Sequence, residues 1–255
     1  MEQKIRQIIA IGGASAISLA NTKRRENPTL NPEKWVAMLE DDDFKLEQYL
    51  LEQTNKKNPR VCFLATASGD NPSIYDTYYE VMKKFECVPS HLSLFSGTSP
   101  DLRSQLMNQD LILVHGGNTR NMLTLWKDWG VDLLMREAYE SGIVLAGWSA
   151  GSICWFEEGV TDSVPGSLSK LNCLGFLKGS NCPHYDGEME RRPAYHRLLL
   201  EGKIKNGVAA DDRVGLHFID GKLHTVFSTS STRNGYRVEL IEQHGQKKII
   251  ETVLV

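Results

Sequence analysis

The stretch Ile143-Val144-Leu145-Ala146-Gly147-Trp148-Ser149-Ala150-Gly151-Ser152-Ile153 sets a serine at Gly-x-Ser-x-Gly spacing, after an apolar run and before a helix-compatible one. That pattern suits a nucleophile elbow: small residues two positions either side allow a turn tight enough to push the serine clear of a sheet. The chemistry is attack of Ser149 on a carbonyl carbon, with the Ala150 N–H aimed at the oxyanion that forms. A plain strand–turn–helix junction is the competing reading, and the strand and helix signals on its two flanks favour the elbow. A second Gly-rich strand end, Val114-His115-Gly116-Gly117-Asn118-Thr119, offers Gly117 N–H as a second oxyanion donor. Asn118 or Thr119 would also cap the helix that follows, and Asn118 is counted as a substrate contact.

An activated serine needs a base, and the base needs a partner to fix its tautomer. Of seven histidines, His91 and His217 fall in strand-like runs and read as packed, while His196, His224 and His244 fall in helix, hairpin and tail. His115 adjoins the Gly-Gly loop and is a minor candidate. His184 stands out, because Asn181-Cys182-Pro183-His184-Tyr185-Asp186-Gly187 is a proline-constrained loop that presents polar groups. Asp211 and Asp212 follow it as acid candidates. The chain order Ser…His…Asp differs from the Ser…Asp/Glu…His of α/β-hydrolases and counts against that fold. His184, Asp186 and Glu188 have the spacing of no familiar metal site, so no metal is expected.

Together these segments resemble the dipeptidase E and cyanophycinase-like serine peptidases of family S51, which are similar to class I glutamine amidotransferases with serine in place of the cysteine nucleophile. The resemblance rests on Ile11-Gly12-Gly13, Phe63-Leu64-Ala65-Thr66-Ala67-Ser68-Gly69-Asp70, Gly116-Gly117-Asn118-Thr119, Gly147-Trp148-Ser149-Ala150-Gly151, Asn181-Cys182-Pro183-His184-Tyr185 and Ala209-Ala210-Asp211-Asp212. It implies Ser149 as nucleophile and His184 as base. The family's third member is a glutamate; here Asp212, one methylene shorter, best matches its place, with Asp211 and Asp162 as alternatives. Aspartyl dipeptidases of the family hold the substrate's acidic side chain with an arginine downstream of the histidine, which implies Arg191 or Arg192 and an Asp-X preference. Tyr185 is a further substrate-contact candidate, and Lys23-Arg24-Arg25 is expected in an added loop near the site.

These groups need a scaffold, and short apolar runs ending in turn formers supply it: 8–11, 61–65, 111–114, 143–146 and a shorter 91–95 read as strands buried on both faces. Helical periodicity covers 32–53, broken or solvated at Asp41-Asp42-Asp43, then 73–85, 120–129 and 131–139. Alternation of the two predicts an α/β fold built of βαβ units with a mostly parallel sheet, and the resemblance implies that helices flank this sheet in three layers as in class I glutamine amidotransferases. Strand-like segments at 214–219, 223–228, 236–241 and 248–253, with an Asp220-Gly221 hairpin signal, predict an antiparallel C-terminal extension of that sheet.

The 255 residues carry 29 Lys+Arg against 32 Asp+Glu, a net charge of −3, and 41% hydrophobic residues, which suits one α/β domain over residues 1–255. No basic face for nucleic acid or anionic membrane is expected at that balance. The run at 8–11 is too short for a secretory leader. Five scattered cysteines without C-x-x-C point to a reducing cytoplasm rather than disulfides or zinc. No cofactor is expected: Gly12-Gly13-Ala14-Ser15 lacks G-x-G-x-x-G spacing, and no phosphate-loop motif occurs. The expectation is a serine exopeptidase for small peptides, working as a monomer or homodimer. The competing readings are an esterase or amidase on a non-peptide acyl group and a non-catalytic small-molecule-binding domain. Intact Ser149, His184 and an acid argue against the last.

Overall fold

A computed structural model describes residues 4–96 and 101–254. Strand β1 (Gln7–Ile11) leads into α1 (Ala16–Glu26), α2 (Pro32–Val36) and α3 (Lys45–Glu52). Then come β2 (Arg60–Leu64), α4 (Pro72–Met82), β3 (Val88–His91), α5 (Leu102–Met107), β4 (Leu111–Val114), α6 (Thr119–Trp129), α7 (Val131–Glu140), β5 (Val144–Trp148) and the single turn α8 (Ala150–Ile153). The rest is mostly strand: β6 (Phe156–Thr161), β7 (Ser169–Asn172), β8 (Leu177–Cys182), helix α9 (Arg191–Leu200), β9 (Gly207–Ala210), β10 (Val214–Ile219), β11 (Lys222–Ser228), β12 (Gly235–Gln243) and β13 (Gln246–Leu254).

A seven-stranded sheet has the order β11-β10-β1-β5-β4-β2-β3, with β1, β5, β4, β2 and β3 parallel and β10 and β11 antiparallel. The continuous apolar runs are explained by burial on both sides. Ile9, Ile11, Phe63, Leu113 and Ala146 face α1 to α4, whereas Ile8, Ala10, Leu64, Ile112 and Leu145 face α5 to α8. This is the three-layer α/β architecture. Burying each such aliphatic side chain contributes roughly 1.5–3 kcal/mol.

The 32–53 segment is broken at Asp41-Asp42-Asp43, one of the two outcomes expected there: it is two helices, because these aspartates form a 3₁₀ turn whose carboxylates favour a helix start over an interior. Two expectations need correction. The 91–95 strand lies at Val88–His91 instead, because the Asp70 carboxylate takes the amides of Leu94 (2.6 Å) and Phe95 (3.3 Å) out of the ladder. Its His91 packs its ring on Tyr75 (centroids 4.2 Å) at the protein surface and is bonded to the Tyr79 hydroxyl at 2.7 Å.

Only β10 and β11 extend the main sheet, joined by Asp220 and Gly221, both left-handed as the hairpin signal requires (φ 49° and 78°). The second hairpin, β12 and β13, joins a separate six-stranded sheet of order β13-β12-β9-β8-β6-β7. Helix α9 packs on that sheet through Tyr195, Leu198 and Leu199, against Val160, Cys182, Tyr185 and Val238.

Candidate active site

Strand β5 ends at Trp148, and Ser149 turns the chain with φ 55° and ψ −114°, a backbone costly for any residue with a Cβ. Its amide donates to Ile11 O (3.3 Å), and its carbonyl accepts from the amides of Ser152 and Ile153 (2.9 Å each). The two flanking glycines have a specific steric cause. A Cβ at Gly147 would lie 2.5 Å from Val114 O, and one at Gly151 2.2 Å from the same oxygen, so both straddle the last carbonyl of β4. The helix after Ser149 is one turn long, giving Ala150 N–H no carbonyl four residues back inside the helix. Gly117 has φ 133°, and a Cβ there would come within 2.3 Å of Ala67 O, so glycine is what admits the loop beside Ser149's neighbour Gly116.

His184 also has a left-handed backbone (φ 53°). Its Nδ1 lies 2.7 Å from Oδ1 of Asp212, a residue 28 positions on. The end of β1 anchors both sides of the site. Ile11 O accepts from Ser149 N, Gly12 O from His184 N (3.3 Å) and Gly13 O from Arg213 N (2.9 Å). Three consecutive carbonyls thus hold the serine, the histidine and the residue after the acid. Gly13 is wedged so closely that a Cβ would lie 2.2 Å from Asp212 Oδ1 and 2.4 Å from His184 Cε1. Asp212 N donates to Asp186 Oδ1 (2.9 Å), and Asp186 is ion-paired with Arg233. With Nδ1 of His184 as the N–H facing the Asp212 carboxylate, Nε2 keeps its lone pair free to accept a proton.

The other expected site residues lie apart from this constellation. Asp211 is 3% exposed, its Oδ2 accepts from Asn234 N (2.9 Å) and Tyr236 Oη (3.4 Å), and burial raises its pKa. Asp162 lies 3.8 Å from Arg191 rather than beside His184. Arg191 is buried, with Nε 2.6 Å from Glu188 Oε2 and Nη1 donating to Val160 O (3.0 Å), instead of reaching over a pocket. Arg192 is ion-paired with Glu251 and lies over the rings of Tyr185 and Tyr236. Tyr185 is a core residue, its hydroxyl bonded to Glu251 and to His196 Nε2 (3.0 Å), not a pocket wall.

Asn118 caps α6, accepting from Asn121 N (2.9 Å), and its Nδ2 donates to Ser163 O (3.1 Å), tying the segment after β6 to the Gly117 loop. His115 packs on Trp148, its Nδ1 2.9 Å from Ser68 Oγ, and burial pushes its pKa down to about 4. Lys23, Arg24 and Arg25 form the last turn of α1 rather than a loop.

Sequence reasoning passed over Asp186 as a support for Asp212 and did not find Glu251. The His184-x-Asp186 spacing carried a usable signal for the first; Glu251, on a distant strand, carried none.

The sequence model of peptidase family S51 matches residues 37–226. The uncharacterized peptidase YgaJ of Bacillus subtilis (strain 168) is 53% identical over 204 residues, covering 80% of this chain and 88% of the relative. The chain belongs to peptidase family S51. Two solved structures share the fold. A peptidase from an acI-B1 Actinobacterium has a TM-score of 0.64 at 14% identity, covering 99% of this chain and 98% of that one. A candidate peptidase E protein from Listeria monocytogenes EGD-e has a TM-score of 0.57 at 15% identity, covering 89% and 100%.

Proposed function

We propose that this peptidase is a serine exopeptidase for small peptides, with Ser149 as nucleophile, His184 as general base and Asp212 as the group that orients it. The observation that carries this reading is the 2.7 Å contact between His184 Nδ1 and Asp212 Oδ1, on the same β1 end that anchors the strained Ser149 elbow. In the first half-reaction Ser149 Oγ attacks the scissile carbonyl and its proton passes to His184 Nε2. The N–H groups of Ala150 and Gly117 stabilise the oxyanion. Collapse breaks the C–N bond, His184 returns the proton to the leaving amine, and an acyl-Ser149 ester remains. Water, deprotonated by His184, hydrolyses that ester and regenerates the serine.

Arg191 and Arg192 already face Glu188 and Glu251, so an acidic substrate side chain would have to displace a carboxylate of the chain itself. The favoured reading therefore has no fixed requirement for an N-terminal Asp. The five free thiols suit a reducing compartment, and we place the enzyme in the cytoplasm on that ground.

A dipeptide library assayed beside acyl esters, with labelling by a fluorophosphonate, tests the proposal. Peptide turnover and labelling that both vanish in Ser149→Ala support it. Turnover kept by a folded Ser149→Ala protein overturns the serine mechanism, and hydrolysis of esters alone overturns the peptide substrate.

A further inference from the structure

Glu251 lies on β13, beyond the residues that the family model matches. Its carboxylate gathers three donors. Arg192 Nε (2.9 Å) and His196 Nε2 (2.6 Å) come from α9, and the Tyr185 hydroxyl comes from the loop that carries His184. Burial alone would raise the Glu251 pKa, but the bonds from Arg192, Tyr185 and His196 outweigh it and hold the carboxyl at about 2. Glu251 is therefore an anion across the working pH range of a peptidase.

Tyr185 is fixed at both ends. Its amide donates to Ala210 O (3.1 Å), the carbonyl next to Asp211-Asp212, and its hydroxyl ends on Glu251. Its ring packs against Tyr195 and Tyr236 and is 2% exposed. Tyr185 is the covalent neighbour of His184, whose left-handed backbone persists only where its surroundings over-determine it.

We propose that Glu251 is a positioning residue for His184: through the Tyr185 hydroxyl, the C-terminal strand sets the angle at which the imidazole meets Asp212 and Ser149. This rests on the reading of Ser149 and His184 as nucleophile and base. A merely structural role is separable, because Glu251 also staples α9 through Arg192 and His196. Tyr185→Phe removes the link to the His184 loop and leaves that staple in place.

The experiment measures the rate of Ser149 labelling by a fluorophosphonate, with kcat and KM on a peptide substrate, for wild type, Glu251→Gln, Tyr185→Phe and the double variant. Labelling and kcat are expected to fall roughly tenfold in each single variant with KM nearly unchanged, and the double variant to be no worse than the poorer single. Near-wild-type Tm in Tyr185→Phe keeps the result free of unfolding. A labelled wild type alongside a Tyr185→Phe protein that labels and turns over at the wild-type rate overturns this inference alone. A wild type that cleaves peptides without labelling, together with an active Ser149→Ala, overturns the parent reading and this inference with it.

Discussion

His184 and Asp212 meet through Nδ1 and Oδ1 at 2.7 Å, with Gly13 filling the gap beside them so tightly that no side chain fits. His184→Ala should therefore be as damaging as Ser149→Ala, each losing at least about three orders of magnitude in kcat, and the double variant should be hardly worse. Asp212→Asn should lose on the order of 10²–10⁴, since an amide presents the wrong partner to Nδ1–H. Asp211→Asn, turned toward Asn234 and Tyr236, should leave kcat within about threefold of wild type, a loss expected only of residues outside the coupled unit. Steady-state kinetics on the five variants decide between these outcomes.

Gly13→Ala tests the packing side of the same arrangement. Its methyl would meet Asp212 and the imidazole edge at once, so kcat should drop about 100-fold or more while the core of the main sheet stays folded. Circular dichroism beside the assay distinguishes a displaced imidazole from an unfolded chain.

The elbow itself stores strain. Ser149→Gly should unfold at a higher temperature than Ser149→Ala, by roughly 1 kcal/mol in stability, because glycine accepts φ 55° and ψ −114° without a Cβ clash. Both variants should lack activity under the proposed serine mechanism, so thermal unfolding is the measurement that separates them. Equal Tm values would mean the turn is relaxed.

Glu47 makes a pH-dependent contribution. It is 2% exposed beside the first turn of α1, its Oε1 accepts from Ile17 N (3.4 Å), and burial raises its pKa to about 7. The folded state then holds this proton more tightly than the unfolded chain does. Its stabilising effect is complete below the unfolded pKa and is lost as pH rises through about 7. His115 and His217, both pushed down to about 4 by burial, contribute a slope of opposite sign, so the measurement is a difference. Relative to wild type, Glu47→Gln should gain on the order of 3 kcal/mol between pH 5 and pH 8, read by urea unfolding at each pH. A flat difference would show that Glu47 ionises normally in the fold.

Arg191→Met should destabilise the protein by roughly 2 kcal/mol, because it strips a buried cation from Glu188 and Val160 O, with the partner's exposure limiting the loss. Asp-Leu, Asn-Leu and Ala-Leu hydrolysis should keep the same ranking. A selective loss of Asp-Leu turnover would restore Arg191 as the reader of an acidic side chain.

The groups with local signatures were legible along the chain. The Gly147-x-Ser149-x-Gly151 turn, the Gly116-Gly117 strand end and the Pro183-His184 loop each declare themselves within a few residues, because a tight turn restricts residue type at its own positions. The buried parallel strands were legible for a similar reason: a strand covered on both faces must be apolar throughout. The second sheet was harder to read. Strands such as Phe156–Thr161 and Leu177–Cys182 carry Glu157, Glu158, Lys178 and Ser180 in short polar-interrupted runs, so no period of hydrophobicity marks them.

Sequence by itself determined the layered α/β plan, the serine at the elbow and the histidine in its loop, since each is written in contiguous residues. Tertiary structure alone decided which acid faces His184, among Asp162, Asp211 and Asp212. It also decided that Arg191 turns inward to Glu188 and that Glu251 reaches Tyr185 from the far end of the chain. Those choices depend on where separate strands end relative to one another and on which side of a backbone a carboxylate leaves. Asp211 and Asp212 are neighbours in sequence, yet the chain turns at this point, with Val214 N donating to Asp211 O (3.3 Å), so one carboxylate is buried against Asn234 and the other meets the imidazole.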